Sequence, residues 1–259
     1  MKKYMFLLQF ILFLAFSCEK PEPEQNIKYL SKILSADSST IVESYTWDSN
    51  KRLITYNSAI NYTLSELNFH YDSIGYIYKI EYCDYEYNLG YYLLFWNNEK
   101  ELDSIIEFTT GYNNDKESVY PILKYSYSYN NKHECIRIEK KFLQDVGINY
   151  DIDYNIIWEE NNIKKFYANS TSFVAGINNI KYDKKHNARI AFPKIILFHI
   201  KSIVYNPSNN NSLQNYYYDV NNGDSYINFE YDYIDDYPVR QYRLSENGER
   251  KLLYYFIYE

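Results

Sequence analysis

Tyr71-Asp72-Ser73-Ile74-Gly75-Tyr76-Ile77-Tyr78-Lys79-Ile80 decides the fold. The segment reads as the end of one strand, a polar turn with a glycine, and the start of the next strand. Asp and Gly supply the turn geometry, and the alternating apolar residues on either side supply a half-buried pleated face. The same outline recurs at Trp47-Asp48 to Leu53, Trp96-Asn97 to Leu102, Tyr129-Asn130 to Ile136 and Tyr182-Asp183 to Ile190, and with a longer run at Tyr231-Asp232 to Val239. In each, an aromatic residue precedes Asp or Asn, a few turn residues follow, and an apolar strand resumes.

The aromatic anchors Trp47, Tyr71, Trp96, Tyr129, Trp158, Tyr182 and Tyr231 are separated by 24, 25, 33, 29, 24 and 49 residues. A period near 24 is two strands plus two turns, and the final interval reads as about two such units. The spacing predicts an all-β protein: a single antiparallel meander of repeated hairpins, curled into a barrel or half-barrel of roughly 12–14 strands. At most one short helix or plug is expected, over residues 194–204, where Pro193 suits a first helical position.

Period-2 alternation assigns faces. Leu67, Phe69 and Tyr71 oppose Asn68, His70 and Asp72. Tyr125, Tyr127 and Tyr129 oppose Ser126, Ser128 and Asn130. By the same rule Leu102, Ser104, Ile106 and Phe108 pack, while Asp103, Ile105 and Glu107 face water. Residues 91–96 and 252–257 are apolar on both faces and are expected to be covered on both sides.

The N-terminus carries a targeting signature. Lys2 and Lys3 form a basic start, and Phe6 to Phe16 is an apolar run too short to span a bilayer stably. Leu14-Ala15-Phe16-Ser17-Cys18 resembles a bacterial lipobox, which implies cleavage after residue 17 and lipidation of Cys18. An ordinary secretory signal or an uncleaved anchor is the alternative. Residues 18–28 then form a lipidated cysteine and a Pro/Glu tether, Glu19-Lys20-Pro21-Glu22-Pro23-Glu24-Gln25, ahead of one β domain over 29–259. The acidic tether resembles a surface-export signal of Bacteroidota lipoproteins and equally fits a plain solvated linker.

Cleavage takes the formal charge from −7 to −9, since Lys2 and Lys3 are lost. No basic stripe is present to displace counterions, so nucleic acid is excluded as a partner. The four histidines, His70, His133, His186 and His199, show no ligand-spaced pair, and no metal or other cofactor is expected. No Gly-x-Ser-x-Gly elbow occurs. Cys83 and Cys135 fall on the polar side of their strands by parity and are expected as free thiols, with a disulfide the alternative. The acid pairs Asp151/Asp153, Glu159/Glu160 and Asp235/Asp236 read as turn chemistry. No catalytic residue emerges, and the chain is expected to be non-enzymatic.

Tyrosine is the outstanding residue type, with 34 copies. Most suit cross-strand pairs in a half-buried sheet. Tyr85, Tyr87 and Tyr91 flank a turn, and Tyr216-Tyr217-Tyr218 is a run no strand buries completely. These six are the candidate ligand-binding residues, since exposed aromatic rings stack on sugars or form interfaces.

The aromatic-Asp-x-x-Gly-x-aromatic pattern of residues 71–76 resembles the tyrosine-aspartate repeats of large secreted shell proteins. A closer resemblance, over most of residues 41–259, is to a Bacteroidota family of lipoproteins of unknown function with a porin-like fold. It rests on three segments: Tyr71 to Gly75; Ile180-Lys181-Tyr182-Asp183-Lys184-Lys185-His186-Asn187; and Phe229 to Asp232 with Tyr237-Pro238-Val239 and the closing strand Tyr254 to Tyr258. Ala188 departs from the proline usual after the second segment, and most turns here use Asn or Lys in place of Gly. The resemblance brings no catalytic residues. It implies a lipid-anchored envelope protein of unknown role, attached to the membrane through Cys18. The consistently polar second face of the strands argues against an outer-membrane-spanning barrel, and the expected role is a non-enzymatic binding module for a glycan, lipid or protein. An assembly component that pairs through exposed strand edges is the second reading.

Overall fold

The computed structural model describes residues 27–259 apart from 60–65, 84–88, 114–115, 145–150, 170–173, 190–209 and 220–224. Among these residues sixteen strands follow in order: β1 (Leu30–Ser35), β2 (Ile41–Trp47), β3 (Leu53–Ser58), β4 (Glu66–Tyr71), β5 (Ile77–Cys83), β6 (Leu89–Trp96), β7 (Leu102–Asn113), β8 (Lys116–Tyr129), β9 (Cys135–Phe142), β10 (Ile152–Glu159), β11 (Asn162–Asn169), β12 (Val174–His186), β13 (Asn210–Asp219), β14 (Ser225–Ile234), β15 (Tyr237–Leu244) and β16 (Arg250–Tyr258). Each strand pairs antiparallel with its sequence neighbours, and β16 pairs with β1 to close the barrel.

The all-β meander is therefore observed, with more strands than the 12–14 expected. Among the described residues, the interval of 49 between Tyr182 and Tyr231 holds one hairpin, β13–β14. Tyr258 supplies an eighth anchor. The region proposed as a helix, 194–204, lies outside the described residues.

The repeat sorts the connections by end. The turns 48–52, 72–76, 97–101 and 130–134 all lie at one rim, here the turn end. In each, the Asp or Asn Oδ1 accepts two backbone N–H groups, as Asp48 does from Asn50 and Arg52 at 2.9 Å each and Asn97 does from Glu99 and Glu101 at 2.9 Å each. This is the local side-chain bond that makes Asp and Asn turn residues. The fourth position takes positive φ: Lys51 61°, Gly75 98°, Lys100 67° and His133 60°. Asp183 Oδ1 likewise accepts two backbone N–H groups, from Lys185 at 2.9 Å and from Asn211 on β13 at 3.2 Å.

A second repeated device alters the expected faces. Every odd strand from β1 to β11 carries a bulge at its start, as where Trp96 pairs with Leu102 but Phe95 pairs with Ser104. The buried residues are then three apart: Leu30/Ile33, Leu53/Tyr56, Ile77/Ile80, Leu102/Ile105, Cys135/Ile138 and Ile163/Phe166. Ile105 and Glu107 accordingly pair with inward Leu94 and Tyr92, whereas Ile106 and Phe108 join the outer row, the reverse of the parity assignment. Cys135 is buried for the same reason.

The buried residues of strands around the wall form one cluster. In a closed sheet the face they share is the lumen. Tyrosines and aliphatics fill it, while the outer face carries ion pairs such as Lys79–Glu81 at 2.6 Å and Arg137–Asp153 at 3.0 Å. Residues 91–96 and 252–257 are not covered outside: Phe95 is 44% exposed and Ile257 42%. Closure also removes the free strand edges on which the assembly reading relied.

Candidate functional site

The turn end is sealed by a repeated hydrogen bond. In all eight hairpins the anchor at the end of the even strand donates to a backbone carbonyl at the start of the odd strand before it. Indole Nε1–H donates from Trp47 to Leu30 O at 2.9 Å, from Trp96 to Ile77 O at 2.8 Å and from Trp158 to Cys135 O at 2.7 Å. Phenol O–H donates from Tyr71 to Leu53 O (2.8 Å), Tyr129 to Leu102 O (3.1 Å), Tyr182 to Ile163 O (2.6 Å), Tyr231 to Ser212 O (3.2 Å) and Tyr258 to Pro238 O (2.9 Å). Trp and Tyr serve alike because each joins a large apolar body to one polar donor. With Leu30, Leu53, Ile77, Leu102, Cys135 and Ile163 between them, the anchors make an apolar floor. Burial pushes the Cys135 thiol up to about 12, so it packs there as an inert small hydrophobe.

Towards the other rim, the loop end, the lumen turns polar between β5 and β10. Glu107 on β7 accepts a hydrogen bond from Tyr82 OH at 3.2 Å, and Tyr92 and Tyr125 donate to the same carboxylate. Burial raises the Glu107 pKa, against the pull of these phenols and of Lys140. Burial lowers the Lys140 pKa, and Glu107 opposes that shift. Lys140 Nζ sits 5.9 Å from the Tyr125 ring centre and 5.5 Å from that of Phe142. Tyr127 below them is buried, and among the described residues its hydroxyl has no hydrogen-bond partner. Gly90 makes room for this cage: a Cβ there would stand 2.4 Å from the Tyr82 ring and 2.5 Å from Phe108 O.

A second charged group crosses the lumen. The chain after β12 turns inward at Asn187, buries Ala188, and sends Arg189 to β2, where Nη2 meets Glu43 Oε2 at 2.8 Å and Nε donates to Tyr45 OH at 3.3 Å. Tyr45 OH also donates to Glu43. Ala188 at the place of a usual proline is thus a residue inside the barrel.

Of the predicted site residues, Tyr91 and Tyr216 have described side chains, and they stand apart. Cys18, Tyr85 and Tyr87 lie outside the described residues. Tyr91 faces outward on β6, stacked on Phe108 with ring centres 4.8 Å apart and Lys79 Nζ over it at 4.8 Å. Tyr216 pairs with Tyr226 on β13–β14, ring centres 4.7 Å apart, with Tyr226 65% exposed. Tyr217 and Tyr218 pair in register with Ile177 and Gly176. β6 and β13 are seven strands apart in a ring of sixteen, so Tyr91 and Tyr216 stand on nearly opposite walls. Cys83 and Cys135 are thiols, not joined in a disulfide.

One grouping escaped the spacing argument. The neighbouring turns 97–101 and 130–134 bring Glu99, Glu101 and His133 together, with His133 Nδ1 2.8 Å from Glu101 Oε1. They border a cavity of about 420 Å³ over Trp96, Leu102, Tyr129, Cys135 and Trp158. His133 and Glu101 are 32 residues apart, beyond any local ligand motif.

No protein-family model matches the sequence, and no curated protein matches it. Solved structures do. A porin-like protein from Bacteroides vulgatus superposes with a TM-score of 0.56 at 9% identity, over 89% of this chain and 99% of that one. A porin-like protein from Bacteroides uniformis gives a TM-score of 0.51 at 13% identity, over 89% and 98%. At such identity the likeness is one of fold: this chain has the porin-like barrel that its hairpin repeats resemble.

Proposed function

We propose that the protein is a non-enzymatic cell-envelope protein, anchored to the outer membrane through lipid on Cys18, whose barrel is a binding module standing in water. The observation that carries this is the polarity of the wall. A barrel that spans an outer membrane shows lipid an apolar band and keeps a polar lumen. Here the lumen holds the apolar cluster, and the outer face bears Lys79, Glu81, Arg137, Glu139 and Asp153 in ion pairs. Placing those charges in hydrocarbon would cost several kcal/mol at the bilayer centre, about 2–4 for each Lys or Arg.

Lys28 sits at the turn end, where its Nζ pairs with Asp235 at 2.9 Å and its N donates to Tyr237 OH at 3.1 Å, which supports a tether joining the barrel at that end. An anchor there presents the loop end to the surroundings. The ligand enters at that end, towards the phenols, the Glu107 carboxylate and the Lys140 ammonium. Hydroxyl-rich rings suit such a mixture of aromatic faces, acceptors and donors, so a glycan is the favoured ligand over a lipid or a protein.

Replacing Cys18 with Ser separates anchoring from spanning. The wild type is expected in the membrane fraction and the Cys18→Ser chain in the soluble fraction, folded. A Cys18→Ser chain that stays in the membrane through alkaline extraction would mean that the barrel itself spans, and would overturn the reading. On the soluble variant, saturation-transfer NMR with a panel of cell-envelope oligosaccharides tests the ligand; no transfer from any of them would remove the glycan.

A further inference from the structure

The adjacent hairpins β6–β7 and β8–β9 set their turns side by side at the turn end. Glu99 and Glu101 come from the first turn and His133 from the second. One ligand atom from each lies within 4.8 Å of the others. We propose that these three side chains bind a divalent transition-metal ion, with zinc the ion to test first.

An imidazole nitrogen with two carboxylate oxygens is a donor set for zinc and its first-row neighbours rather than for calcium or magnesium, which take oxygen alone. The turn chemistry holds the donors in place. Asn97 Nδ2 donates to Glu101 Oε2 at 3.0 Å, leaving Oε1 turned to His133. His133 occupies the positive-φ position that the sister turns fill with Lys51, Gly75 and Lys100, so it has exchanged a flexible cation or a glycine for a ligand. The cavity of about 420 Å³ is a separate observation that points the same way. It opens beside the three donors and leaves space for water or a small ligand on the ion's remaining positions. Lys100 and Lys132 also line it and oppose a cation, but Glu134 joins the two glutamates there and keeps the carboxylates in excess. This site is independent of the loop-end lumen and of the lipid on Cys18.

The experiment is calorimetric titration of zinc chloride into the full chain in detergent, for the wild type, His133→Gly and Glu99→Gln. Glycine suits the φ of 60° at residue 133, so His133→Gly removes the ligand without endangering the turn. The expected result is saturable binding of one ion per chain, weakened by at least about tenfold in each variant. Zinc should raise the melting temperature of the wild type and leave that of His133→Gly unmoved. Copper should quench tryptophan fluorescence in the wild type only, because Trp96 and Trp158 line the cavity. No saturable heat in the wild type, or equal binding by His133→Gly, would overturn the proposal; in that case His133 and Glu101 form a surface ion pair and nothing more.

Discussion

Tyr71 shows what one anchor is worth. Its ring packs against the core, and its hydroxyl donates to Leu53 O at 2.8 Å. Burial raises that hydroxyl's pKa to about 12, so it stays protonated and remains a donor at any working pH. Tyr71→Phe keeps the ring and strands the carbonyl, and the expected cost is about 1–2 kcal/mol. The measurement is the urea midpoint at unchanged slope. A change near zero would mean that water replaces the phenol and that the eightfold bond is decorative. Arg52 complicates the site modestly, since its guanidinium lies 4.6 Å from the Tyr71 ring centre and stays there in the variant.

The hairpin is the scale at which the sequence was most legible, and also where it misled. The anchors and Asx turns are local, so Trp47, Tyr71, Trp96 and Tyr129 mark the hairpins in the sequence itself, and the meander follows from them. The bulge is not local. It exists only because an odd strand must both start beneath its anchor and pair with the strand before it, and it leaves no residue signature: the extra positions are as different as Ile54, Tyr78, Asp103, Ile136 and Lys164. Strict alternation therefore placed Glu107 and Cys135 on the wrong face. It also hid the lumenal cage, whose members come from five strands. The spacing of three between Leu53 and Tyr56, Ile77 and Ile80, and Leu102 and Ile105 was the available signal. The turn itself gives a prediction at this scale. Lys100 at φ 67° carries the strain that Gly75 avoids in the sister turn. Lys100→Gly should raise stability by up to about 1 kcal/mol, the relief of a left-handed residue less the entropy glycine adds to the unfolded chain. A fall in the melting temperature would show that the lysine side chain makes a contact worth more than the strain.

A sixteen-stranded wall encloses more space than aliphatic side chains alone fill, and barrels of this strand number elsewhere leave an aqueous channel. Here rings take up the width: Tyr45, Tyr56, Tyr82, Tyr92 and Tyr127 are all buried. That gives the abundance of tyrosine a structural cause beyond any exposed binding surface. Filling a lumen with phenols commits it to a hydrogen-bond network, and Glu107 is the acceptor on which three of them converge. The network holds a carboxyl whose pKa burial raises above the ordinary 4.5. The folded state therefore grips this proton more tightly than the unfolded chain does. Its contribution to stability is fully present below the ordinary value and is lost as pH rises through the raised one. Gln at 107 has no proton to lose and keeps the carbonyl acceptor. The stability of Glu107→Gln relative to wild type should consequently improve as pH is taken from about 4 to about 7, read by denaturant midpoints at both values. Lys140 sharpens the test, because its charge favours ionised Glu107. Were that attraction the larger effect, the difference would move the other way, and the lumen would have to be read as a charge pair with phenols around it rather than as a buried acid held among donors.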